Sequence, residues 1–264
     1  MRCKFPKNAP MSVRKVLREI LSTVQSIIQD NLIGLYLHGS LAMDCYNPRS
    51  SDIDIIIVAR ERLSQEQRKR IIEYLKRICS KRERIELSMV CEDAIRNPRY
   101  PMRVDLHFEY WGNIFENERD KEILSNLYTT KKRGFCVWGA PTSDVFSEIS
   151  AEHHLRSMIE DIQHTRKYIH EKPEHIGYDV TVYWILGSCR ILAFIREEKV
   201  LSKLEGGRWG IANLPKEFHK LIIRALSSYQ GIEKHGHDWK HQELEAFVDY
   251  MTNTILKESK LKKR

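Results

Sequence analysis

Near residue 149 the hydrophobic period of this 264-residue chain changes, and that change constrains its fold more than any other feature. Before it, helix and strand patterns alternate. After it, the apolar stripes recur at helical spacing. Val13, Val16, Leu17, Ile20, Leu21, Val24, Ile27 and Ile28 recur every three or four residues, so residues 11–30 read as an amphipathic helix. Leu32 to His38 reads as a strand that ends at Gly39-Ser40. Residues 53–58, Ile-Asp-Ile-Ile-Ile-Val, read as a second and more buried strand. Ser64 and Gln67 form a capping box that opens a helix to about Cys79. Residues 84–91 read as a third strand and Val104 to Tyr110 as a fourth. In the second half, Leu155 to Ile162, Val180 to Arg196, Phe218 to Leu226 and Leu244 to Ile255 space four helices. Strands followed by helices argue for an α/β N-terminal domain and a helical C-terminal one. The join falls in Gly139 to Ser150, where Gly139, Pro141 and polar residues interrupt the pattern, giving domains 1–145 and 146–264.

A chain of this length can bury a real core, and 42% hydrophobic with 30% charged residues excludes a disordered segment. No apolar run has the length of a membrane span, and no apolar signal core follows the first residues. A cytoplasmic chain without a membrane partner is expected. Cys3, Cys45, Cys79, Cys91, Cys136 and Cys189 form no C-x-x-C pair, so they read as reduced, packed thiols rather than zinc ligands. The net charge of +8 would attract polyanions, but part of the excess sits in the tail Lys257 to Arg264. No helix-turn-helix or RNP signature is present, so no nucleic-acid partner is expected. A monomer is expected.

The most informative pattern is Gly39-Ser40, eleven residues, then Asp52-Ile53-Asp54. Side chains alternate along a strand, so Asp52 and Asp54 share a face while Ile53, Ile55 and Ile57 take the other. Two neighbouring carboxylates that both stay ionised favour a shared cation. Hard oxygen ligands suit Mg²⁺, which keeps waters and borrows phosphate oxygens from a substrate. Gly39 permits close approach of backbone to a phosphate, and Ser40 adds a hydroxyl donor. A lone Gly-Ser turn or a lone Asp-x-Asp would be unremarkable; together, between two apolar strands, they favour function. In Ile85-Glu86-Leu87-Ser88-Met89 the apolar residues share one face and Glu86 points away. If this strand adjoins the aspartate strand, Glu86 joins the same site; otherwise it is a solvent-facing glutamate, and strand logic leaves both readings open.

These residues resemble the signature of the polymerase-β-like nucleotidyltransferases, and most closely the aminoglycoside nucleotidyltransferases that adenylylate streptomycin at its 3″-hydroxyl or spectinomycin at its 9-hydroxyl. The resemblance rests on Gly34 to Ser40, Ser51 to Asp54, Ile85 to Leu87, Tyr110-Trp111 and Phe115 to Asn117 in the first half. In the second half it rests on Ser188 to Ile191, Ser202-Lys203, Trp209 and Leu214-Pro215, so it covers nearly the whole chain. It implies an α+β protein: a polymerase-β-like nucleotidyltransferase domain with a mixed sheet, joined to a helical bundle, with ATP·Mg²⁺ held between them. It implies that Asp52 and Asp54 hold magnesium, that Glu86 is the catalytic base and that Trp111 lines the drug site. Arg190 and Lys203 would reach ATP phosphates beside Gly39 and Ser40. The implied reaction moves AMP from ATP to a hydroxyl of a cationic antibiotic, releases pyrophosphate and gives antibiotic resistance. The streptomycin-modifying members carry an acid and a histidine where this chain has Tyr178 to Tyr183. Asp179 stands in for the acid with a shift of one residue and Tyr183 takes the place of the histidine, so both are expected at the drug site and spectinomycin is expected to be at least as good a substrate as streptomycin.

Blander readings accompany several of these residues. Arg190 lies in an apolar helix, where a structural carboxylate would pair it as well as a phosphate. Lys203 reads as a surface lysine in a loop that enters a Glu205-Gly206-Gly207 turn. Trp111 fits a core aromatic as well as a stacking platform for a cation. His235, His237 and His241 read as an exposed loop rather than a zinc site. Lys131-Lys132-Arg133 reads as a solvated turn, and His153-His154 as a helix start. Asp105 is a candidate for adding negative charge to the cleft and for a base in reserve.

Overall fold

The structure, a computed structural model, describes residues 3–79, 84–171, 178–232, 239 and 241–262, with the side chains of 178, 179, 261 and 262 outside that description. Its contacts divide the chain into two compact units, Met1–His154 and Leu155–Arg264.

The first unit opens with α1 (Met11–Ile28), followed by β1 (Leu32–Leu37), the single turn α2 (Gly39–Ala42), β2 (Ile53–Ala59), α3 (Gln65–Cys79) and β3 (Ile85–Cys91). Then come α4 (Glu92–Arg96), β4 (Met102–Arg103), β5 (Leu106–Glu109), β6 (Ile114–Glu116), β7 (Arg119–Asp120), α5 (Ile123–Arg133), β8 (Phe135–Gly139) and α6 (Thr142–Val145). Six strands form one sheet in the order β6-β5-β3-β2-β1-β8, with β4 and β7 as a separate ribbon. Only β2 and β3 run parallel; the other pairings in the sheet are antiparallel, so the sheet is mixed.

The parallel pair requires a crossover, and α3 supplies it. The capping box holds as read: the Ser64 N–H donates to Gln67 Oε1 at 2.9 Å and the Gln67 N–H to Ser64 Oγ at 3.2 Å. Helices α1 and α3 bring Leu17, Ile20, Leu21, Val24, Ile71 and Leu75 onto one face of the sheet. That face presents Leu35, Leu37, Ile53, Ile55, Ile57, Ile85, Leu87 and Met89, all fully buried or nearly so. Each such side chain contributes about 1.5–3 kcal/mol on burial, which makes β2 and β3 the centre of the fold. The opposite face is also closed along most of β2, because Ile56 and Val58 are fully buried and Tyr36, in register with Ile56, packs edge-on against Phe146 at 4.9 Å. Only the N-terminal end of β2 leaves that face open, and the carboxylates sit there.

Two segments differ from their sequence readings. Lys131-Lys132-Arg133 is the last turn of α5 rather than a loop, and Lys131 Nζ reaches Glu148 Oε1 and the Phe146 carbonyl, each at 2.8 Å. Phe135–Gly139 is an edge strand paired with β1.

The second unit is helical. Helix α7 (Ala151–Glu171) begins just before it, and α8 (Tyr178–Glu197), α9 (Lys203–Asn213), α10 (His219–Tyr229) and α11 (His241–Lys262) follow. Helix α8 is apolar almost all round and packs against α9, α10 and α11. Lys203 therefore does not lie in a loop: it is the first residue of α9, whose cap Ser202 forms a capping box with Glu205. Gly206 and Gly207 lie inside this helix because packing requires them there. A Cβ on Gly206 would lie 2.5 Å from Arg190 Cγ, and one on Gly207 2.5 Å from Leu226 Cδ2. No helix among the described residues is long and apolar enough to cross a membrane.

Candidate active site

Strand register brings three carboxylates into one row. Asp54 of β2 lies opposite Glu86 of β3, and Glu86 lies opposite Glu109 of β5. Register partners point to the same side of a sheet, and adjacent strands lie about 4.8 Å apart, so the row spans roughly 10 Å. Asp52 precedes β2 by one residue and shares the face of Asp54. Asp52, Asp54 and Glu86 are all partly buried, while Ile53, Ile55, Ile85 and Leu87 between them are buried in the core beneath. The condition set by the sequence for Glu86, that its strand adjoin the aspartate strand, is met.

The Gly39-Ser40 turn closes one end of the row. The His38 N–H donates to the Asp54 carbonyl at 3.2 Å, which ties the end of β1 to the start of β2. Gly39 has φ +59°, and a Cβ there would fall 1.9 Å from Asp54 Oδ2, so only glycine lets the turn lie against that carboxylate. The Ser40 hydroxyl is buried without a hydrogen-bond partner among the described residues. A buried orphan hydroxyl is costly, and a phosphate oxygen would satisfy it.

At the other end is a polar relay that sequence reading missed. His107 of β5 is 6% exposed, with Nδ1 2.9 Å from Ser88 Oγ and Nε2 3.1 Å from Glu109 Oε1. Burial pushes the His107 pKa down, but the hydrogen bond to Glu109 and the charges of Glu86, Asp120 and Glu109 outweigh it, and the pKa is raised. Trp111 lies on the turn that follows β5, beside Tyr110 at 4.7 Å, and is 53% exposed. It is therefore not a core aromatic. Asp105 does not join the row. Its N–H pairs with Met89, at the opposite end of β3 from Glu86. Its buried carboxylate accepts hydrogen bonds from Arg62 Nη1 at 3.0 Å and the Leu63 N–H at 3.3 Å, so it anchors the loop after β2. Burial pushes its pKa up despite the Arg62 charge.

In the second unit, three of the expected residues form one cluster. Arg190 is half-buried on α8 and donates Nε–H to the Leu201 carbonyl at 2.7 Å, and its charge acts on Asp161. Lys203 Nζ sits 4.6 Å from the centroid of the Tyr183 ring. The Tyr183 hydroxyl donates to Asp161 Oδ2 at 3.2 Å. Asp161, on α7, was not singled out from the sequence. Burial raises its pKa, while Tyr183, His164, Arg190 and Lys203 pull it back down. Asp179 lies in the first turn of α8 with its side chain outside the described residues; His235 and His237 fall outside the described residues altogether.

The described residues contain no group of three His, Cys, Asp or Glu side chains placed to hold a metal by themselves. Asp52 and Asp54 instead offer the incomplete set of hard oxygen donors that magnesium accepts when phosphate and water supply the rest. The residues present fit magnesium that arrives with a nucleotide.

Comparison with known proteins agrees with this geometry. The pattern of a nucleotidyltransferase domain matches residues 17–110, and that of the aminoglycoside adenylyltransferase C-terminal domain matches residues 144–254. The chain is a homologue of the aminoglycoside adenylyltransferases along most of its length. This adenylyltransferase is 21% identical over 251 residues to the spectinomycin 9-adenylyltransferase of Campylobacter jejuni, covering 90% of this chain and 94% of the relative. It is 24% identical over 254 residues to the aminoglycoside (3'') (9) adenylyltransferase of Escherichia coli, covering 91% and 94%. Its fold is shared with the spectinomycin adenyltransferase AAD(9) of Enterococcus, solved with ATP and spectinomycin, at a TM-score of 0.77 and 19% identity over 92% of this chain and 98% of the other.

Proposed function

We propose that this adenylyltransferase moves AMP from ATP to a hydroxyl of an aminoglycoside-type antibiotic, spectinomycin or streptomycin, with release of pyrophosphate. The observation that carries the reading is the register of Asp54 with Glu86, with Asp52 on the same face and Gly39 pressed against Asp54. Asp52 and Asp54 are the magnesium ligands. Bound magnesium supplies charge stabilisation at the attacking and leaving oxygens. Ser40 donates to a phosphate oxygen, and Arg190 and Lys203 meet the phosphate charge that grows as pyrophosphate leaves. Glu86 accepts the proton of the acceptor hydroxyl as its oxygen forms a bond to the α-phosphorus and the bond to pyrophosphate breaks. Trp111, Asp179 and Tyr183 contact the drug. The reading puts the enzyme in the cytoplasm, where it would confer resistance; six free cysteines and the need for ATP support this.

The test is mass spectrometry after incubation with ATP and magnesium. A gain of one AMP on spectinomycin or streptomycin is expected. AMP on RNA instead, or on no acceptor, overturns the reading. Because Tyr183 replaces a histidine of the streptomycin modifiers and is held by Asp161, spectinomycin is expected to react at least as well. Adenylylation of streptomycin alone would refute that choice.

A further inference from the structure

Glu109 raises a problem that the proposed reaction does not resolve. It lies directly opposite Glu86, and like charges facing each other across strands are destabilising. One oxygen is spoken for, since Oε1 meets His107 at 3.1 Å. The other, Oε2, is buried and has no hydrogen-bond partner among the described residues. His107 is itself fixed by Ser88, so the side chain of Glu109 is held rather than mobile. The arrangement is thus a buried relay, Ser88 to His107 to Glu109, ending in a carboxylate oxygen with no donor. Two residues on, the same turn exposes the aromatic ring of Trp111.

We infer that Glu109 is a specificity-determining residue that takes an ammonium N–H of the acceptor on Oε2, and that His107 is the positioning residue that holds it there. A protonated amine satisfies the orphan oxygen, relieves the repulsion between Glu86 and Glu109, and is attracted by an aromatic face such as that of Trp111. Docking it one strand away from Glu86 brings a neighbouring hydroxyl toward the base. The substrate class is therefore a hydroxylated amine, charged at neutral pH, with amine and reacting hydroxyl a few ångströms apart. A chain whose net charge is +8 thereby presents a local acidic seat for a cation. The inference rests on the adenylyl-transfer reading above.

The experiment uses the whole chain with ATP, magnesium and spectinomycin, and compares wild type with Glu109→Gln, which keeps the shape but removes the charge. Wild type must first add AMP to spectinomycin; if it does not, the underlying reading fails and not this one. Given wild-type transfer, Glu109→Gln is expected to raise the KM for spectinomycin about tenfold or more while the saturated rate and ATP affinity stay near wild type, as loss of a charge-assisted hydrogen bond implies. N-acetylated spectinomycin, which has lost the cation, should no longer distinguish the two enzymes. His107→Gln, which keeps a polar partner for Glu109, should show the same KM effect in weaker form and serves if Glu109→Gln does not fold. An unchanged KM in both variants overturns the inference. A loss confined to the saturated rate also overturns it, since Glu109 would then tune Glu86 rather than seat the acceptor.

Discussion

Replacing Gly39 with alanine tests whether the turn and the carboxylate form one unit. A non-glycine residue at the left-handed φ of +59° costs roughly 1–2 kcal/mol. For a chain of this size that corresponds to a fall of about 2–8 °C in melting temperature. The larger effect is local. The new Cβ would lie 1.9 Å from Asp54 Oδ2, whereas ordinary contact starts at 3.4 Å. The carboxylate must retreat by about 1.5 Å, and a displacement of about 1 Å at a reacting centre costs on the order of 10²-fold in rate. Turnover should therefore fall far more than the stability change explains, and raising magnesium should recover part of it. Thermal melting and steady-state adenylylation at several magnesium concentrations separate the two effects. A variant with a lowered melting temperature but near-wild-type turnover at limiting magnesium would refute the claim that Gly39 places Asp54 for metal.

Glu86→Gln should lower the saturated rate about 10²–10⁴-fold with ATP affinity largely kept; a change in KM alone would make Glu86 a docking charge. Asp52→Asn should abolish transfer and leave the fold intact, and normal turnover at low magnesium would remove it from the metal site. Arg190→Ala should weaken ATP binding roughly tenfold if its guanidinium meets phosphate. Unchanged ATP affinity with a lower melting temperature would limit Arg190 to holding the Leu201 carbonyl. Cys189 is fully buried, and burial pushes its thiol up to about 12. It stays protonated and shielded at pH 8, so peptide mapping after alkylation of the native protein should find it unmodified, whereas modification there before unfolding would contradict the packing around α8.

The parts of the fold that were legible in the sequence are those with a strong local period. Strands β2 and β3 announce themselves through isoleucine-rich runs, α1 through its apolar stripe, and α3 through the Ser64–Gln67 box. Their ends fall within a residue or two of the reading. Strand β8 was missed because its residues are mostly half-buried and carry no alternation. Gly206-Gly207 looked like a turn because local propensity says so, while the close approach to Arg190 and Leu226 demands glycine inside a helix. The pairing of Asp54 with Glu86 rested on strand order, a non-local property that alternation alone leaves open. Asp105, His107 and Glu109 illustrate the limit most clearly. Alternation puts all three on the polar side of one strand, which usually means solvent. The structure buries Asp105 and His107 and gives each a different partner.

The row of carboxylates runs from the centre of the sheet toward an exposed turn. Asp54 and Glu86 stand on β2 and β3, two central strands of the sheet whose remaining side chains are almost all buried. Backbone amides in such strands open to solvent only when the whole unit unfolds, so they exchange hydrogen slowest. Glu109 ends β5, and Trp111 follows on an exposed turn held by the Glu109 N–H to Asn113 carbonyl and the Gly112 N–H to Glu109 carbonyl. The Tyr110 N–H ties the start of that turn to the Ile85 carbonyl at 3.0 Å, while its tip at Trp111 faces solvent. On the proposed reading, phosphate chemistry rests on the two central strands and the acceptor meets the exposed turn, so variation that broadens the range of acceptors should accumulate at the turn first.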